Sequence, residues 1–129
     1  MAAITIVGPT GSGKSKLAIE LASKFNGEII CADSLTIYRG MDIGAAKHSK
    51  QERELTTHYG LDLIDLDQNY SVAQFKKYAT NCIDKIQKKD KLPIIVGGSG
   101  LYIDAVLFDY KFRKPRKNIE FKLSIMSNL

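Results

Sequence analysis

The octapeptide Gly8-Pro9-Thr10-Gly11-Ser12-Gly13-Lys14-Ser15 constrains this chain more than any other feature, because it fits the phosphate-binding pattern GxxxxGK[ST] in full. Glycines in such a loop let backbone N–H groups turn inward around an anionic oxygen. Lys14 adds a mobile positive charge, and the Ser15 hydroxyl suits a magnesium ion. The pattern requires an apolar strand before it and a helix after it, whose positive end points at the same anion. Both are legible. Ala3-Ile4-Thr5-Ile6-Val7 is a β-branched run that reads as a buried strand. Leu17, Ala18, Leu21, Ala22 and Phe25 recur at three- and four-residue spacing, one face of a helix closed by Asn26-Gly27. In that setting a merely flexible glycine-rich turn is a poor account of the motif. A bound phosphate or diphosphate is the expectation.

Further elements follow in alternation. Glu28-Ile29-Ile30-Cys31-Ala32 reads as a second strand that delivers Asp33 and Ser34 at its carboxyl end. Residues 35–58 are polar and glycine-interrupted, with one or two helical turns expected around Ser49–Leu55, and Leu61–Leu66 suggests a short third strand. Ser71-Val72-Ala73-Gln74 has the form of a capping box opening a helix to about Lys89. Val72, Phe75, Ala79, Cys82, Ile83 and Ile86 make its apolar stripe. Pro93-Ile94-Ile95-Val96 is another buried strand, Gly97-Gly98-Ser99-Gly100 a tight turn, and Leu101–Phe108 a helix. Strands alternating with helices predict an α/β fold with a mostly parallel sheet covered on both faces.

Composition narrows the class further. With 129 residues, 44% of them hydrophobic and 26% charged, the chain suits one globular domain with one core. No apolar run is long enough to span a membrane, and no basic flank leads into an apolar stretch near Met1, so a cytoplasmic protein is expected. Cys31 and Cys82 lack the spacing of a cysteine zinc site or a disulfide scaffold and read as buried thiols. The net charge of +5 is concentrated. Residues 111–129 hold Lys111, Arg113, Lys114, Arg116, Lys117 and Lys122 against Glu120, while residues 1–110 are balanced. Such a segment is either a solvated linker or a footprint for phosphate backbones.

The loop alone leaves the chemistry open. Kinases and NTPases need a magnesium-holding acid after an apolar strand. Here the Pro93–Val96 strand runs into Gly97-Gly98, Leu63-Ile64-Asp65 is a weak substitute, and the GTPase pattern Asn-Lys-x-Asp is absent. Asp33 is more telling. The carboxyl ends of parallel strands line the ligand crevice, so Asp33 should face the phosphate-binding loop. A carboxylate there repels phosphate and is better suited to taking a proton from a nucleophile opposite the anion. As a strand-end residue it equally suits a turn or helix cap.

Four linked segments carry a resemblance: Gly8–Ser15 with Ala32-Asp33-Ser34; Tyr38-Arg39-Gly40-Met41-Asp42-Ile43-Gly44; Tyr70-Ser71-Val72-Ala73-Gln74-Phe75; and Pro93–Val96 running into Gly97-Gly98-Ser99-Gly100-Leu101-Tyr102. Together they resemble the N-terminal part of the tRNA dimethylallyltransferases, also called tRNA isopentenyltransferases. The resemblance implies a P-loop NTPase-like α/β sheet, incomplete relative to the family, in which Gly8, Pro9, Thr10, Gly11, Ser12, Gly13, Lys14 and Ser15 grip a diphosphate with Mg2+ at Ser15. The donor would be dimethylallyl diphosphate and the acceptor the exocyclic N6 of the adenosine beside the anticodon. Asp33 would assist deprotonation of that amine, and Ser99 would reach the bridging oxygen of the donor. Asp33, Ser34, Leu35, Thr36 and Ser99 match tRNA-contacting positions, and Lys122 falls near a family arginine that meets tRNA.

The chain also departs from the family pattern. Thr36 stands in place of Gln, losing an amide able to read the adenine edge. Ser99 and Ala45 each replace Thr, His48 replaces Pro, and His58-Tyr59 replaces a His-His pair. A lone His58 suits a surface or packing role. Tyr38 and Tyr102 are either walls of a prenyl tunnel or core aromatics.

The resulting expectation is a tRNA prenyltransferase portion with a P-loop core at 1–110 and a basic segment at 111–129 leading toward a tRNA-binding insertion. No protein partner is inferable. The alternatives are a P-loop small-molecule kinase, an adenylate isopentenyltransferase, and a non-catalytic module that binds anions or RNA.

Overall fold

A computed structural model describes residues 3–7, 13–33, 36–40, 50–97, 102, 105 and 106 of the chain. Within them, four parallel strands run β1 (Ile4–Val7), β2 (Gly27–Cys31), β3 (His58–Tyr59) and β4 (Leu92–Gly97), with helices α1 (Lys14–Phe25), α2 (Lys50–Leu55) and α3 (Val72–Lys88). The strand order is β1-β4-β2-β3, so the last strand in sequence fills the space between the first two. Ile4 lies beside Ile94, and Ile29 lies on the other side of the same residue.

Side-chain alternation divides the sheet into two apolar faces. Ile4, Ile6, Ile29, Cys31, Ile94 and Val96 pack against Ala18 and Ala22 of α1. Val7, Ile30, Ala32 and Ile95 pack against Phe75, Ala79, Cys82, Ile83 and Ile86 of α3. The expected two-sided α/β arrangement is therefore what the chain adopts, because every central strand is apolar on both faces.

Local chemistry sets the helix ends. Gly13 caps α1 with φ 83°, a left-handed geometry that costs glycine least. Asn26 ends the helix, also left-handed, and its N–H donates to the Ala22 carbonyl. Phe25 does not join the buried face: it is half exposed at the helix end, with the Lys24 ammonium 5.6 Å from its ring. At α3 the capping box is fully formed. Gln74 N–H donates to Ser71 Oγ at 3.1 Å, and Ser71 N–H donates to Gln74 Oε1 at 2.7 Å.

The short third strand differs from the one read at Leu61–Leu66. It forms three residues earlier, at His58–Tyr59, where Ile29 and Ile30 are its partners. Gly60 at φ 87° and Asp62 at φ 53° then break the extended path, leaving a lone bridge between Tyr38 and Ile64. The Gly60 N–H donates to the Tyr78 hydroxyl at 3.0 Å, which ties this turn to α3. Burial and the neighbouring Cys82 push the Tyr78 phenol well above its ordinary value.

Away from the carboxyl edge, Glu28 is almost wholly buried yet fully engaged. Its carboxylate accepts from Lys89 Nζ at 3.0 and 3.1 Å, from the Tyr59 hydroxyl at 3.0 Å and from Lys91 Nζ at 3.4 Å. Burial alone would raise its pKa, but these donors outweigh that and hold it below the usual carboxylate range.

Candidate functional site

The site assembles where the strands end. Val7 lies beside Gly97, and the Ala32 N–H donates to the Val96 carbonyl at 2.8 Å, so β1, β4 and β2 finish on one level. One step beyond that level β1 enters the glycine-rich segment, β4 enters Gly98, and β2 presents Asp33. In a parallel sheet this carboxyl edge is where ligands collect.

Lys14, the first residue of α1, is drawn into this edge and is 7% exposed. Lysine is seldom buried to that degree without electrostatic compensation. Desolvation pulls its ammonium below the ordinary lysine value, and the negative charge of Asp33 works in the opposite direction. Lys14 and Asp33, nineteen positions apart in sequence, thus act on one another through space. Ser15 follows in the same helical turn and is half-buried. The charge of Asp33 thus reaches the first residue of α1.

Behind Asp33 lies Thr36, which is 2% exposed. Its hydroxyl donates to the Asp33 backbone carbonyl at 3.2 Å, while its own carbonyl accepts the Asp62 N–H at 3.1 Å. This role was not read from the sequence. The signal for it was present, since a threonine three residues after a strand-end aspartate suits a hydroxyl-to-backbone turn.

Tyr102 packs inward. Its ring stacks on Phe75 at a centroid distance of 4.6 Å, and its hydroxyl donates to the Tyr70 carbonyl at 3.3 Å. Tyr38 is half-buried and packs against the same core. His58 is half-buried too, with Nδ1 2.7 Å from the Thr56 carbonyl, a local packing role. Of the residues expected at the site, Gly13, Lys14, Ser15, Asp33 and Thr36 are described. Gly8, Pro9, Thr10, Gly11, Ser12, Ser34, Leu35, Ser99 and Lys122 lie outside the described residues, as do Ala45, His48 and the 110/111 boundary. Among the described residues no helix is long and apolar enough to cross a membrane.

Comparison with known proteins agrees with this frame. The tRNA dimethylallyltransferase of Oceanobacillus iheyensis is 52% identical over 118 residues, covering 92% of this chain and 38% of that protein. The crystal structure of the tRNA isopentenylpyrophosphate transferase from Bacillus halodurans superposes with a TM-score of 0.80 at 44% identity, over 84% of this chain and 36% of the other. A tRNA isopentenylpyrophosphate transferase structure from Staphylococcus epidermidis gives 0.77 at 50% identity, over 81% and 34%. The chain thus spans a little over a third of the length of these relatives. Residues 36–128 match the IPP transferase family, and the chain belongs to that family.

Proposed function

We propose that this chain forms the diphosphate-gripping and base-presenting part of a tRNA dimethylallyltransferase. The single observation that carries the reading is the buried Lys14 at the carboxyl edge of the sheet, with the charge of Asp33 acting on its ammonium. Lys14 would meet the diphosphate of dimethylallyl diphosphate, together with Gly8–Ser15. Asp33 would meet the exocyclic amine of the target adenosine. N6 attacks C1 of the dimethylallyl group, forming the C–N bond as the C–O bond to diphosphate breaks. The bonding pair leaves with diphosphate, and the N6 proton passes to the Asp33 carboxylate. Ser99 would hydrogen bond the bridging oxygen as charge develops there.

The donor set fits magnesium in its usual mode of few protein oxygens plus phosphate and water. The Ser15 hydroxyl, half-buried beside Lys14, would hold the ion, which supplies neutralisation of the diphosphate charge. The target base must leave its stack to reach Asp33, with Ser34, Leu35 and Thr36 in the segment beside it. Residues 1–110 would then be the core, and the basic residues 111–129, Lys122 among them, an approach surface for tRNA in the cytoplasm.

Calorimetric titration with dimethylallyl diphosphate and, separately, ATP, both with magnesium, tests the reading. Preferential binding of the prenyl diphosphate, lost in Lys14→Ala, is expected. Preference for ATP would move the chain to kinase chemistry, and RNA binding that is steeply salt-dependent but indifferent to the prenyl donor would make it a binding module.

A further inference from the structure

We propose that Thr36 is a positioning residue for Asp33, acting on the reaction through that aspartate and not by touching tRNA. This rests on the function proposed above. The Thr36 side chain is 2% exposed, so its hydroxyl faces the protein interior. There it donates to the backbone carbonyl of Asp33 at 3.2 Å.

The donor is itself fixed from below. The Thr36 carbonyl accepts the Asp62 N–H at 3.1 Å, and the Asp62 carboxylate is held by Arg53 Nη1 at 3.1 Å. The next residue, Ile37, is fully buried, and its carbonyl accepts from both Leu63 at 2.6 Å and Ile64 at 3.1 Å. The Arg39 N–H then donates to the Ile64 carbonyl at 2.9 Å, and the Arg39 guanidinium pairs with Asp65 at 2.9 Å. Three positions, 36, 37 and 39, are thereby stitched to residues 62–65 at the outer side of the sheet.

Asp33 stands two residues beyond the end of β2. The Thr36 hydroxyl clamps the Asp33 carbonyl to a segment anchored elsewhere. The carboxylate that must meet N6 then inherits its position from a buried hydroxyl. A displacement of about 1 Å at a reacting group can cost on the order of a hundredfold in rate, so such a clamp has kinetic weight.

The test compares Thr36→Val, nearly equal in size but without a donor, with Thr36→Ser, which keeps the hydroxyl. Two quantities are read: the 13C signal of the Asp33 backbone carbonyl in this chain, and the split between kcat and KM for tRNA in a prenyl-transfer assay. In Thr36→Val the carbonyl signal is expected to move and kcat to fall on the order of tenfold, with KM for tRNA unchanged. Thr36→Ser should restore both. A carbonyl signal unaltered in Thr36→Val, or a raised KM at constant kcat, overturns the proposal. So does a Thr36→Ser variant that behaves like Thr36→Val. Should Thr36→Val not fold, Thr36→Ala is read the same way. The kinetic split is read in a complete enzyme carrying these residues; if the original chain binds no dimethylallyl diphosphate, the function proposed above fails while the carbonyl signal still decides the positioning role.

Discussion

Gly97 and Ala32 meet across the centre of the sheet with no space between them: a Cβ on Gly97 would stand 2.3 Å from the Ala32 carbonyl oxygen. Ala32 immediately precedes Asp33, so the packing of these two residues governs how closely β4 and β2 leave the sheet. Gly97→Ala should force the strands apart and destabilise the chain by about 1–3 kcal/mol, as overpacking does. Urea unfolding reads the effect, and an unchanged midpoint would mean that the two strand ends shift freely past one another.

Asp33 and a bound diphosphate carry like charge, so Asp33→Asn should bind dimethylallyl diphosphate at least as tightly as the original chain. Transfer in a complete enzyme should drop about 10²–10⁴-fold, the usual contribution of a positioned base. Calorimetry and a single-turnover assay give the two numbers. Weakened binding with intact transfer would remove Asp33 from the role of proton acceptor.

Glu28 makes stability depend on acid. Its folded pKa lies below the ordinary value, because donors from Lys89, Tyr59 and Lys91 outweigh the burial that would raise it. The contribution is therefore present above the unfolded carboxylate pKa and is lost as pH falls through the lower, folded one. Thermal melts of Glu28→Gln and the original chain should differ most near neutral pH and converge in acid. Parallel curves at every pH would show that the carboxylate contributes nothing as an ion.

Ser71→Ala removes one half of the α3 capping box and leaves the Gln74 N–H without its acceptor. A loss of about 1 kcal/mol is expected by denaturant titration. Ser71→Asp should recover most of it, since an aspartate oxygen caps equally well and faces the positive end of the helix.

Phe75 is fully buried between Tyr102 and Tyr78, stacked on the first at 4.6 Å. Phe75→Ala should cost about 3–5 kcal/mol, enough to unfold a marginal domain of this size. Circular dichroism melts would register it, and Phe75→Leu should be far milder.

The large elements were legible because their apolar periodicity is unambiguous. Ala18 and Ala22 on α1, the stripe from Phe75 to Ile86 on α3, and the β-branched runs of β1 and β4 each obey one period. β3 was misplaced for a physical reason. His58 and Tyr59 are half-buried, mixed in polarity and only two residues long, whereas the more apolar Leu61–Leu66 is broken by left-handed Gly60 and Asp62. The motif singled out Lys14 and Ser15 as candidates, and strand-end logic singled out Asp33. Thr36 escaped because its hydrogen bond goes to a backbone atom, and a threonine three residues after a strand-end aspartate signals such a turn only weakly. Glu28 escaped as well, since a carboxylate in a strand reads as solvent-facing until its lysine partners, sixty residues away in sequence, are folded against it.

The strand order also carries a consequence for how the protein comes into being. β1 and β2 never touch directly; each pairs with β4, and Ile4 meets Ile94 across ninety residues of intervening chain. Contacts so remote in sequence are slow to form, because a large loop must close before any pairing rewards it. During synthesis Lys14 on α1 and the strand-end Asp33 therefore share only the packing of α1 on β2 as a frame. Only when the ribosome releases Leu92–Gly97 does the sheet that aligns their strands exist, so the candidate site cannot mature before β4 is made.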